Sequence, residues 1–136
     1  MSDTQSSTGG CLCGGVRYVV RGPLREIIGC HCSQCRRTSG HFVAATSTPA
    51  EKLTFTHSQT LRWYASSDRA ERGFCGRCGS SLFWKPLHAT PARICIMAGT
   101  LDAPTHLHMT QHIFVGDKSD YYSLADGLPQ SAAWPQ

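Results

Sequence analysis

The sequence has 136 residues, a formal net charge of +4 and a hydrophobic content of 40 %. This length is sufficient for one domain with a modest core, and no apolar run reaches the roughly eighteen residues of a transmembrane helix. The basic residues are scattered along the chain, so the electrostatic case for nucleic-acid binding is weak.

The eight cysteines allow two interpretations, a disulfide framework or metal binding. The polar residues at the N-terminus have neither the basic start nor the apolar centre of a secretory signal. The cysteines also cluster at Cys-x-Cys and Cys-x-x-Cys spacings, which suit a metal better than long cross-links. We therefore predict metal binding in a reducing, cytoplasmic setting, and a disordered lead-in over residues 1–9.

Short segments that are rich in β-branched and aromatic residues, or that alternate with period two, follow one another with turn signals between them. The predicted strands are Val16–Val20, Leu24–Ile28, His41–Thr46, Lys52–Thr56, Thr60–Tyr64, Arg69–Phe74, Ser80–Trp84, Arg93–Ala98 and His112–Val115. Arg93–Ala98 is apolar on both faces, which predicts a central strand. No segment shows a sustained helical period, and Thr38–Gly40 is predicted to be a loop. The pattern indicates a single, mainly β domain over residues 10–136, built from short antiparallel sheets.

Two cysteine pairs lie far apart in the sequence, Cys11 with Cys13 and Cys75 with Cys78. Each pair is flanked by glycine, which allows the tight backbone turn of a metal knuckle. Together the pairs can make a closed four-thiolate site, which is electron-rich and chemically quiet. We expect this site to be structural.

The remaining cluster, Cys30, Cys32 and Cys35, supplies only three thiols. Either a protein group completes the site, or the fourth position is open to water or substrate, as in catalytic zinc sites. The protein candidates for a fourth ligand are His31, His112 and Cys95. The spacing alone leaves both alternatives open.

Residues near this cluster also have two interpretations each. Arg36 and Arg37 are either solvated or positioned to bind a substrate carboxylate through bidentate hydrogen bonds. His31 lies between two ligands and is predicted to point away from the metal into a hydrogen bond. Cys95, in an apolar run, is predicted to be a buried thiol. The sequence names no general acid or base.

Three cysteine motifs follow one another along the chain, Gly10-Cys-x-Cys-Gly14, Cys30-His-Cys-Ser-x-Cys-Arg-Arg37 and Phe74-Cys-x-x-Cys-Gly-Ser80. With His112-Ile-Phe-Val115, Lys118 and Leu128-Pro129, they resemble the glutathione-dependent formaldehyde-activating enzyme (GFA) family, which includes centromere protein V. The resemblance implies a zinc-stapled β-tent fold, shared with a guanine-nucleotide-release chaperone. It also implies a structural zinc on Cys11, Cys13, Cys75 and Cys78, and a second, open zinc on Cys30, Cys32 and Cys35.

The activity implied by the resemblance is that of a carbon–sulfur lyase, S-(hydroxymethyl)glutathione synthase, which joins glutathione and formaldehyde. The expected partners are therefore a small thiol such as glutathione and an aldehyde. The alternative is a non-enzymatic zinc-binding β module that binds a protein partner. Seven thiolates and two zinc ions would lower the net charge from +4 to +1, which further weakens the case for nucleic acid.

Overall fold

A computed structural model describes residues 5–135. Within that range the chain is mainly β, with one short α-helix and three single-turn 3₁₀ segments. In chain order the elements are β1 (Ser6–Gly10), β2 (Val16–Arg21), β3 (Ile27–Cys30), α1 (Ser33–Ser39), β4 (Val43–Pro49), β5 (Leu53–Ser58), β6 (Leu61–Ala65), β7 (Ala70–Cys75), β8 (Ser81–Pro86), β9 (Arg93–Met97) and β10 (Met109–Ile113). No helix within this range is long and apolar enough to cross a membrane.

Seven strands form the larger sheet in the order β10-β3-β4-β9-β8-β7-β6. β9 lies at its centre, as the doubly apolar pattern of this segment predicts. The prediction of antiparallel sheets is wrong for one pair, because β10 lies parallel to β3 with Ile113 opposite Cys30. The two strands are separated by most of the domain rather than by a hairpin turn, so no tight connection forces them to be antiparallel.

The smaller sheet contains β1, β2 and β5. The prediction of a disordered lead-in over residues 1–9 is wrong for Ser6 onward, because β1 pairs with β2 from Ser6 to Gly10; residues 1–4 lie outside the described range. Serine, threonine and glycine give β1 no apolar pattern, and the backbone ladder holds it instead. Gly9 is required here, since a Cβ at this position would overlap the Tyr18 hydroxyl and the Thr100 carbonyl oxygen.

The main core lies between the two sheets. Val16, Tyr18 and Val20 alternate along β2 with their side chains fully buried, as period-two patterning requires. Tyr18 meets the buried Phe83 of β8 edge to face, with ring centroids 5.4 Å apart. Each fully buried side chain of this size contributes about 1.5–3 kcal/mol, so this layer fixes the position of β8 relative to β2.

Helix α1 was not predicted, because its seven residues are too few to show a helical period. Cys32 caps its N-terminus, and Cys32 Sγ accepts a hydrogen bond from the Cys35 backbone N–H at 3.3 Å. It ends at Gly40 in the left-handed conformation (φ 88°), where the Gly40 N–H donates to the Arg36 carbonyl. The predicted loop at Thr38–Gly40 is therefore the end of this helix, and the helix arranges the central cysteine cluster.

Strand β10 lies earlier than predicted, at Met109–Ile113 rather than His112–Val115. Phe114 adopts a left-handed conformation (φ 57°), which ends the strand directly after Ile113. The segment that follows returns along β10, where Ser131 N–H donates to the His112 carbonyl and His112 N–H donates to Pro129. The tail therefore packs against the sheet and covers its β10 edge.

Candidate metal centres

The first cysteine group combines the turn after β1 with the turn between β7 and β8. The Sγ atoms of Cys11, Cys13, Cys75 and Cys78 lie within 4.8 Å of one another. Cys13 Sγ is 3.7 Å from both Cys11 Sγ and Cys75 Sγ. A disulfide requires about 2.05 Å, whereas four sulfurs placed tetrahedrally at about 2.3 Å from an ion are about 3.8 Å apart. The group therefore fits one closed, four-coordinate metal ion.

Hydrogen bonds at Cys75 and Cys78 favour thiolates, whereas burial raises the pKa of Cys11. Cys75 Sγ accepts the backbone N–H groups of Arg77 and Cys78 at 3.4 and 3.3 Å. The Thr60 hydroxyl lowers the pKa of Cys75 to about 7, and the Ser80 hydroxyl lowers that of Cys78 to about 5. Lowered pKa values and backbone donors are what a metal-bound thiolate requires.

The second group is formed where β3 enters α1. Cys30 ends β3, Cys32 caps the helix and Cys35 lies in its first turn, with the three Sγ atoms within 4.8 Å of one another. Hydrogen bonding with Cys30 lowers the pKa of Cys32, and the same contact raises the pKa of Cys30. Three sulfurs this close compete for protons, and a divalent cation in their place would allow all three to be thiolates.

The two histidine candidates for a fourth ligand have other partners. His31 is fully buried, with Nδ1 2.6 Å from the Tyr122 hydroxyl and Nε2 2.9 Å from His112 Nδ1. His112 Nε2 is 2.8 Å from the Asp126 carboxylate. Both ring nitrogens of each histidine are thus engaged, and neither ring belongs to the three-cysteine group. His31 points away from that group, as predicted.

Tyr122, His31, His112 and Asp126 form one continuous series of hydrogen bonds. The pKa of Asp126 is lowered by its bond to His112, so the carboxylate accepts from His112 Nε2–H. His112 Nδ1 shares a hydrogen with His31 Nε2, and His31 Nδ1 shares one with the Tyr122 hydroxyl. Burial, with a contribution from His112, lowers the pKa of His31 to about 4. These hydrogen bonds join the C-terminal segment to His31, which lies between Cys30 and Cys32.

Cys95, the third candidate, lies in β9 opposite Ser47. Its side chain is half-buried, and burial raises the pKa of its thiol. It lies outside both cysteine groups. Across residues 5–135, no further His, Cys, Asp or Glu donor joins Cys30, Cys32 and Cys35 within 4.8 Å. In the described part of the chain, this group offers three candidate protein ligands.

Arg36 and Arg37, predicted to bind substrate, occupy the last turn of α1. Arg36 Nε donates to the Asp117 carbonyl at 3.1 Å, and Arg37 is exposed. Neither arginine lines the pocket that Thr38 of this helix borders, whose other lining residues are Tyr64, Arg72, Gly73, Phe74, Gly79 and Ser81. The binding role of the two helix arginines stays a prediction.

Arg72 of β7 is a residue that the sequence analysis missed. Only 8 % of it is exposed, and its Nη2 lies 3.9 Å from Cys35 Sγ. Its Nε is buried without a hydrogen-bond partner in the described structure, which typically costs about 1–3 kcal/mol. Period-two alternation with the buried Ala70 was the available signal, since it places Arg72 on the inward face of its strand.

Comparisons with known proteins agree with this architecture. The chain is 28 % identical over 121 residues to a Schizosaccharomyces pombe protein named an uncharacterized lyase, covering 87 % of this chain and 85 % of that one. A crystal structure of a Rhodobacter sphaeroides protein superposes with a TM-score of 0.59 at 24 % identity, over 71 % of this chain and 88 % of the other. The family model for the glutathione-dependent formaldehyde-activating enzyme matches residues 6–117. With the matched region spanning most of the sequence, the chain belongs to the glutathione-dependent formaldehyde-activating enzyme family.

Proposed function

We propose that the chain is a zinc-dependent carbon–sulfur lyase-type enzyme that acts on the adduct of a small thiol and an aldehyde, as S-(hydroxymethyl)glutathione synthase does. The observation that carries this proposal is the group of Cys30, Cys32 and Cys35, which has three sulfurs and no fourth His, Cys, Asp or Glu donor in the described chain. Arg72, which lines a pocket, lies 3.9 Å from Cys35 Sγ. Membership of the family, and the name of the yeast relative, support lyase chemistry.

The proposal assigns one zinc ion to each cysteine group. The four-cysteine group would hold a structural zinc that staples a β-tent domain extending over residues 10–136. The three-cysteine group would hold a zinc with one open position. Unpaired thiols at both groups are consistent with a reducing compartment such as the cytoplasm.

At the three-cysteine group, zinc would supply a Lewis acid that keeps a bound thiol deprotonated near neutral pH. In the reaction, a bond forms between the thiol sulfur and the carbonyl carbon, the C=O π pair moves to oxygen, and that oxygen takes up the proton the thiol has lost. Cleavage of the adduct is the reverse. Because thiols add to formaldehyde unaided, the protein would contribute mainly by concentrating and orienting the reactants.

Contacts within the protein hold the three cysteines in position. The hydrogen bonds of His31 to Tyr122 and His112 hold the loop that carries Cys30 and Cys32. Helix α1 fixes Cys35 relative to Cys32 through its first-turn hydrogen bond. Arg72 supplies a buried positive charge beside Cys35, which offsets the excess of thiolate charge over a divalent ion.

The test is substitution of both sites with cobalt(II), followed by titration with glutathione. Thiolate-to-cobalt absorption should change at one of the two sites and stay constant at the other. S-methylglutathione, which lacks the free thiol, is the matched ligand control and should leave both spectra unchanged.

The enzymatic part is tested by NMR exchange between free glutathione and its hydroxymethyl adduct. The zinc protein should accelerate exchange beyond the spontaneous rate, and Cys30→Ser should not. An unchanged cobalt spectrum with both sites full would remove the open site and favour the non-enzymatic module. A thiol-responsive spectrum without accelerated exchange would instead leave a thiol-binding protein that is not a lyase.

A further inference from the structure

We propose that Arg72 binds the carboxylate of the substrate thiol, so that the site selects small thiols that carry a carboxylate over neutral ones. This inference rests on the proposed function, because it assigns the substrate class of the same site. It stands on the geometry of Arg72 and of the pocket that it lines, which has a volume of about 260 Å³.

Arg72 is a buried permanent cation without a carboxylate partner in the described structure. Its Nη2 faces Cys35 Sγ at 3.9 Å, while its Nε is buried and makes no hydrogen bond. An arginine stays charged at all accessible pH values, so proton loss cannot relieve this arrangement. Attraction to the cysteine thiolates accounts for the position of Nη2 beside Cys35. The same attraction does not account for the burial of Nε without a hydrogen-bond partner.

Arg72 joins the cysteine group to the pocket, since its Nη2 contacts Cys35 Sγ and the residue lines the pocket wall. Arg72 lines the pocket together with Thr38 from the end of α1 and Ser81 from the start of β8. A guanidinium presents its N–H groups in a planar fork that matches the two oxygens of a carboxylate. A carboxylate on Arg72 would therefore lie immediately beside Cys35, while the sulfur of the same molecule occupies the open position of the cysteine group.

Arg72 also differs from the two arginines of α1 in its surroundings. Arg36 uses its Nε on the Asp117 carbonyl, and Arg37 is exposed to solvent. A solvated arginine binds a carboxylate weakly, because water competes for both partners, whereas burial strengthens the same hydrogen bonds. The buried Arg72 is thus the stronger candidate for selecting the anion.

The experiment compares the binding of two thiols to the cobalt(II) protein, 3-mercaptopropionate with a carboxylate and 2-mercaptoethanol without one. Wild type should bind 3-mercaptopropionate at least about tenfold more tightly, the effect expected of a charged hydrogen bond. Arg72→Gln should lower the ratio of the two affinities to about one, and because this is a ratio it cancels any effect that losing the charge beside Cys35 has on the binding of both thiols. Arg72→Lys should retain part of it, since the charge remains but the fork is lost. Arg69→Gln, an exposed arginine just before β7, is the matched control and should keep the full preference.

A second readout uses the wild-type zinc protein and needs neither thiol binding nor a folded variant. Propionate alone should shift the Arg72 Nε–H resonance in a ¹H–¹⁵N spectrum, and propionamide should not. The inference is wrong if folded Arg72→Gln keeps the full preference, or if only Arg36→Gln or Arg37→Gln loses it. Either result would leave the proposal of an open metal site intact. If no thiol changes the cobalt spectrum, the proposed function fails, and the propionate shift alone then decides whether Arg72 binds carboxylates.

Discussion

Removing one ligand of the four-cysteine group should unfold the domain. Cys75 is fully buried, accepts two backbone N–H groups and joins the β7–β8 turn to the turn after β1. In Cys75→Ser, a neutral hydroxyl replaces a thiolate at this junction. Structural zinc sites contribute an apparent binding free energy of about 10–16 kcal/mol, and a small domain has a net stability of about 5–15 kcal/mol. Loss of a large part of the zinc-binding free energy would therefore exceed most of the net stability of such a domain.

The matched variant is Cys30→Ser in the other group. Cys30 is half-buried, and β3 keeps its ladders to β4 and β10 without the metal. We expect Cys30→Ser to remain folded with one zinc ion per chain, measured by native mass spectrometry and far-UV circular dichroism. Cys75→Ser should show the spectrum of an unfolded chain. If Cys75→Ser melts within a few degrees of wild type, or if both variants unfold alike, the division into a structural and an open site is wrong.

Three further predictions concern the core and the histidine chain. Burial raises the pKa of Tyr18 to about 12. The stability that depends on its neutral phenol is therefore complete below pH 10 and falls by about 3 kcal/mol between pH 10 and pH 12. Urea unfolding across this range should show a smaller loss for Tyr18→Phe than for wild type. His112→Phe leaves the buried His31 Nε2 without its partner, so the zinc-loaded protein should lose about 1–3 kcal/mol in urea unfolding, whereas the exposed His88→Ala should not. Gly29→Ala places a methyl group 2.8 Å from His112 Nδ1 and 3.0 Å from Met109 Cε, so it should cost about 1–3 kcal/mol, whereas Gly99→Ala, with open space around it, should be tolerated.

Each of the three has a distinct contrary outcome. Parallel stability–pH curves for Tyr18→Phe and wild type would show that Tyr18 does not titrate as a buried phenol. Equal effects of His112→Phe and His88→Ala would mean that the His31–His112 bond contributes nothing to stability. A Gly29→Ala protein as stable as Gly99→Ala would show that β3 and β10 can separate without loss.

The features that the sequence predicted correctly are local. β-Branched and aromatic residues located β2, and period-two alternation located β5 and β6, each to within about two residues. The doubly apolar pattern of β9 predicted its central place. The alternation is visible because each of these strands has neighbours that bury one face or both. The cysteine spacings likewise depend only on adjacent residues, and the structure places the cysteines in groups of four and three.

The features that escaped prediction depend on distant partners. The role of His31 is set by Tyr122 and His112, which are 91 and 81 residues away in the sequence. The parallel pairing of β10 and the backbone ladder of β1 leave no compositional trace, because both depend on main-chain hydrogen bonds. Arg72 was assigned to a strand, but only the tertiary structure shows that its guanidinium lies beside Cys35.

The parallel pairing of β10 with β3 has a consequence for the order in which the chain folds during synthesis. The four cysteines of the first group are all present once Cys78 has left the ribosome. β3 cannot gain its second neighbour until Met109–Ile113 has emerged, and His31 must wait for Tyr122. Contacts so distant in sequence form late, because closing the intervening chain has an entropic cost. A nascent chain therefore completes its four-cysteine group well before the surroundings of the three-cysteine group can form.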